Sequence, residues 1–85
     1  MDKGRLVAMA VGYVLLNVVP GVEQDVYLQL KGLENVADVT VLFGDYDLIV
    51  KLIAEDLSSI ATAVVTTIRQ IPGVLDSKTL AGAEF

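Results

Sequence analysis

The chain contains no cysteine, no histidine and no tryptophan. Without thiolate or imidazole it has neither a Cys/His zinc cluster nor a nucleophile served by a histidine base. Carboxylates, hydroxyls, lysines and the backbone remain. The lack of cysteine fits a reducing, cytoplasmic interior. Positive charge is scarce as well: six Lys and Arg stand against eleven Asp and Glu, for a net charge of -5 and a pI near 4.3. The basic residues, Lys3, Arg5, Lys31, Lys51, Arg69 and Lys78, are scattered, whereas a phosphate backbone or an anionic membrane requires them clustered. We therefore expect no direct nucleic-acid partner and no membrane partner.

Long apolar runs are also missing. Leu6–Leu16 is too short to cross a bilayer, which takes roughly 20 apolar residues. Behind Lys3 and Arg5 this run has the outline of a signal peptide. Asn17, Val18, Val19 and Pro20 offer no small-x-small cleavage site, however, and removal would strip a needed strand. The signal peptide is the lesser reading.

Apolar side chains, in contrast, are abundant. Hydrophobic residues make up 54% of the 85, with a mean hydropathy of +0.64. A chain of this size forms one domain with a small core. The surplus implies surface meant for another subunit.

An internal repeat organises the sequence. A shift of 38 positions carries Leu30 onto Ile68, Leu33 onto Ile71, Val36 onto Val74, Asp38 onto Asp76, Leu42 onto Leu80 and Gly44 onto Gly82. The same shift carries Val22 onto Ile60 and Val26 onto Val64. Each copy offers apolar residues at the spacing of one helix face, then a breaker and a β-rich segment. Strand candidates precede the helices, at Gly12–Val19 and Leu48–Ala54. Asp56 suits the N-cap region of the second helix, which should run to about Gln70 and stop before Pro72 and Gly73.

Two β-α-β units in tandem predict an α+β, ferredoxin-like βαββαβ sandwich: a four-stranded antiparallel sheet with two helices on one face. Strand two should place Val39, Val41 and Phe43 on one side and Asp38 and Thr40 on the other. The central strands are apolar on both faces, so the uncovered face is expected to pack on a second copy, giving a homodimer through the sheet.

The order "YVLLNVVPG", helix, "VADVTVLFGDYDLIVKLIAED", helix, "IRQIPGVLDSKTL" resembles the effector-binding half of the Lrp/AsnC transcription regulators, the RAM domain. The likeness covers about Gly12–Ala81, and its most specific parts are the G-D-Y-D loop and the later "IPGV". It implies a RAM-like domain over residues 12–85, behind a short extension or strand start at residues 1–11. Regulators of this family carry an N-terminal helix-turn-helix, for which Met1–Val11 is too short, so the DNA-binding role is not carried over. The resemblance implies a stand-alone module: homodimers assembled into rings (octamers or decamers), an amino-acid effector where dimers meet, and co-assembly with full-length Lrp/AsnC regulators. It implies no cofactor, no metal and no catalysis. Two alternatives stand beside it, a dimeric α+β barrel enzyme and a purely structural oligomerisation domain.

Gly44, Asp45, Tyr46 and Asp47 are the candidate effector-binding residues. By residue type alone they form a hairpin connection, since Gly and Asp favour tight turns. The resemblance makes them the effector loop, where backbone amides near Gly44 would meet a carboxylate and Asp45 or Asp47 an ammonium. Thr79 on the last strand is the fifth candidate, a role that ranks below its reading as an ordinary β-branched strand residue. Lys51 reads as a solvated residue at a sheet edge or as an ion-pair partner across an interface. Asp38 and Asp76 recur with the repeat and fit strand entry better than acid-base chemistry.

Overall fold

The computed structural model describes residues 9–82. Of the stretch set apart as a leading extension, residues 1–8 lie outside the described residues. Strand β1 occupies Ala10–Val18, two residues earlier than the sequence pattern indicates. Helix α1 follows at Glu23–Lys31, then β2 at Val36–Val41, β3 at Leu48–Ala54, α2 at Leu57–Thr66, a 3-10 turn at Ile68–Gln70 and β4 at Val74–Ala81. The strands form one antiparallel sheet in the order β2-β3-β1-β4. This is the expected ferredoxin-like fold.

Alternation along the central strands fixes which face meets the helices. Val14, Leu16 and Val18 of β1, with Leu48, Val50 and Leu52 of β3, are buried against the helical layer. The helices answer with Val26 and Leu30 from α1 and Ile60 and Val64 from α2. Val26 and Val64 are repeat equivalents, as are Leu30 and the buried Ile68. The duplicated apolar series thus marks the same core positions in both halves.

The ends of the helices follow local chemistry. Asp56 caps α2 by accepting the Ser59 N–H at 2.7 Å. That backbone bond, reinforced by the Ser59 hydroxyl, holds the Asp56 carboxyl below its ordinary pKa. In α1, Glu23 and Asp25 lie in the first turn and Lys31 in the last, matching the helix dipole. The single helix expected through Gln70 is instead two pieces. The run Val64, Val65, Thr66, Thr67 is β-branched, and the Thr66 hydroxyl bonds back to the Thr62 carbonyl at 2.7 Å. Crowding and back-bonding both weaken helical continuation, and Thr67 leaves the helix at φ -123.

The other face carries no helix. Val11, Tyr13 and Leu15 of β1 and Ile49 and Ile53 of β3 form an apolar centre, each half-buried by its neighbours. The β4 register places Leu80 beside Tyr13 and Lys78 beside Leu15 on this face. Asp38 is opposite Lys51 and Thr40 is opposite Ile49, so β2 supplies a polar margin. Lys51 is not at an edge, because β3 is an interior strand. Strand β2 ends at Val41, and Phe43, expected on the strand's apolar side, is beyond it and fully exposed. Among the described residues no helix is long and apolar enough to cross a membrane.

Candidate functional site

The G-D-Y-D segment is the connection between β2 and β3. Gly44 sits at φ 137, a conformation open to glycine and strained for other residues. No atom lies within 4 Å of where a Cβ would stand, so the restriction is torsional rather than steric. Beneath the tip the loop is closed by the Leu42 N–H donating to the Asp47 carbonyl at 2.8 Å. The Asp47 N–H in turn donates to the Leu16 carbonyl at 2.8 Å.

The two aspartates have different circumstances. The Asp47 Oδ2 accepts the Val18 N–H at 2.9 Å, so this carboxylate ties the loop to the end of β1. It is half-buried and already committed. Asp45 is exposed, and among the described residues its carboxylate has no hydrogen-bond partner. Nor do the amides of Gly44, Asp45 and Tyr46 have backbone partners among the described residues. The tip therefore presents a free carboxylate and three free N–H donors on a fixed base. Sequence pattern alone treats Asp45 and Asp47 as equivalent; only the fold reveals that the β1 terminus reaches one of them.

Removing the Asp47 carboxylate should loosen this base. Asp47→Ala is expected to cost about 1.5–3 kcal/mol, the range for a hydrogen bond to a charged group. Asp47→Asn, which keeps an acceptor oxygen, should recover much of that loss in a denaturant melt.

Thr79 is not part of the same cluster within one protomer. It pairs with Val14 in the β1–β4 register, on the helix-covered side, and its strand is at the edge opposite β2. Val14 is four residues along β1 from the Val18 that Asp47 reaches, a separation of at least about 10 Å. A pocket using both Thr79 and the loop would have to draw them from different copies. Asp38 and Asp76 are likewise far apart, on the two edge strands. Among the described residues no cluster of three or more His, Cys, Asp or Glu is placed to hold a metal ion.

Comparison with known families and solved structures agrees with the fold. The Lrp/AsnC ligand binding domain matches residues 12–81. The chain belongs to that family. Among solved structures it is similar to FFRP-DM1, with a TM-score of 0.83 and 26% identity over 87% of this chain and 99% of that one. A hypothetical protein from Pyrococcus horikoshii, PHS023, superposes at 0.82 with 25% identity over 89% of this chain and 92% of that one. The transcriptional regulator NMB0573 from Neisseria meningitidis, solved in complex with L-Met, superposes at 0.81 with 12% identity. It is matched over 99% of this chain and 56% of its own length, a likeness of fold alone. Curated protein sequences provide no match. The Lrp/AsnC domain is thus a small-molecule effector-binding regulatory domain by family, and this chain spans nearly the whole of its similar single-domain structures.

Proposed function

We propose that the chain is a non-enzymatic, cytoplasmic amino-acid-binding and oligomerisation module that regulates amino-acid metabolism. Two copies pair through the open sheet face, dimers assemble into octameric or decameric rings, and the effector sits between protomers at the Gly44–Asp47 loop. The same face serves for co-assembly with full-length Lrp/AsnC regulators. The observation that carries this reading is the division of labour in the loop. Asp47 is spent on clamping it, while Asp45 and the adjoining amides are left unpaired on the surface. A carboxylate beside free N–H donors complements the ammonium and carboxylate of a free amino acid. Thr79, arriving from another copy, would add a hydroxyl. The complex of NMB0573 with L-Met, on the same fold, is consistent with an amino acid as effector.

The absence of His and Cys from the sequence supports a binding role over catalysis. So does the burial pattern: no polar or charged side chain is buried among the described residues, so none is desolvated there for acid-base work.

Calorimetric titration with a panel of amino acids tests the assignment. At least one should bind and raise the melting temperature. Asp45→Asn should weaken that binding at least tenfold, about 1.4 kcal/mol, while leaving the unliganded melting temperature unchanged. Silence across the panel would leave a structural oligomerisation domain, whereas Asp45→Asn binding like the parent protein would place the effector site away from this carboxylate.

A further inference from the structure

Phe43 is 100% exposed, the most exposed large apolar side chain among the described residues. The backbone holds it there: Gly44 at φ 137 turns the chain beside it, and the Leu42 and Asp47 bonds fix the loop's base. A cleft on the helical side of the molecule has a volume near 180 Å³. Leu33, Val36, Leu52, Ala63 and Ile68 supply its apolar wall, and Glu34, Asn35 and Thr67 the polar part of its lining. An apolar cavity of roughly 150 Å³ accepts a benzene molecule, so this cleft is large enough for a phenyl ring.

We propose that Phe43 of one copy seats in this cleft on another copy, and that this knob-and-groove contact joins dimer to dimer. The contact presupposes the sheet-paired dimers proposed above and deepens that reading. A protomer cannot fill its own groove. Val36 and Leu52 are paired at the start of β2, while Phe43 lies past its end, roughly 20 Å away.

Area indicates why the contact joins dimers rather than free chains. An aromatic side chain buries about 150–250 Å², far below the 1,200–2,000 Å² of a stable two-body interface. One knob is too weak to hold two isolated protomers. Repeated around a closed ring of preformed dimers, each contact becomes intramolecular and the set holds. Charge gives the contact an orientation. Asp45 follows two residues after Phe43, and Glu34 lines the cleft. The knob is disfavoured in any seating that brings Asp45 toward Glu34.

Sedimentation of the full chain and two variants tests the contact. Phe43→Ser changes a side chain that touches nothing in its own protomer, so its melting temperature should stay near the parent's while species above the dimer disappear. Ala63→Leu fills the groove and should do the same. Mixing the two should restore part of the larger species, because one supplies the groove and the other the knob. In Phe43→Trp, the chain's sole tryptophan should show blue-shifted emission in the ring and lose that shift when Ala63→Leu is added. Rings that survive Phe43→Ser, or a water-exposed tryptophan within intact rings, would overturn the contact with sheet pairing untouched. A parent protein that stops at the dimer would do so too. A monomeric parent would instead remove the sheet pairing first.

Discussion

Leu15→Asp is expected to leave each protomer folded and to weaken its association at least a hundredfold, about 2.7 kcal/mol. Leu15 is on interior strand β1, paired with Ile49 on one side and Lys78 on the other, in the apolar centre of the face without helices. A two-fold contact places the same residue in the interface from both copies, so one substitution introduces two carboxylates. Each must give up water without gaining a built partner, and burying an unpaired charge is among the largest penalties available to a point substitution. In the separated protomer the new carboxylate simply faces solvent. The measurement pairs sedimentation with circular dichroism: a protomer-sized species with native secondary structure is the predicted result. Unchanged assembly would place the interface elsewhere.

One residue further along the same strand, the outcome reverses. Leu16→Ala should destabilise the protomer by about 2–5 kcal/mol, through lost transfer energy and the cavity left behind. Leu16 is completely buried, on the face covered by the helices, and its carbonyl also receives the Asp47 N–H. A domain of this length has a total stability of only several kcal/mol, so the loss is a large fraction of the whole. Denaturant melts read it as a lower midpoint with little change in slope. Adjacent leucines, one whose loss separates copies and one whose loss unfolds them, would demonstrate that the sheet has two distinct apolar faces with two distinct tasks.

The order of elements was legible in the sequence because the repeat imposes the same apolar spacing twice. Val26 and Val64, or Leu30 and Ile68, occupy equivalent buried places, and period-two alternation in β1 and β3 assigned the faces. The Asp56 cap was legible too, since its bond to Ser59 is local in the chain. What sequence could not supply depends on contacts distant along it. The helix through Gln70 breaks at Thr67 because the apolar period continues across a β-branched run that the backbone does not follow. The difference between Asp45 and Asp47 comes from Val18, 29 positions away, whose amide reaches only one of them. Lys51 looked like an edge residue because strand order is invisible to a one-dimensional pattern; the sheet places β3 inside. Phe43 fitted the alternation of β2, yet the strand stops short of it and the loop turns it outward.

Sedimentation of the unmodified protein over a wide dilution series gives the most direct check on the covered sheet face. A dimer at the dilute limit, with even-numbered multiples of the protomer above it and a further shift toward rings when a binding amino acid is added, is the expected pattern. A stable, folded single protomer at every concentration, with or without amino acids, would contradict it.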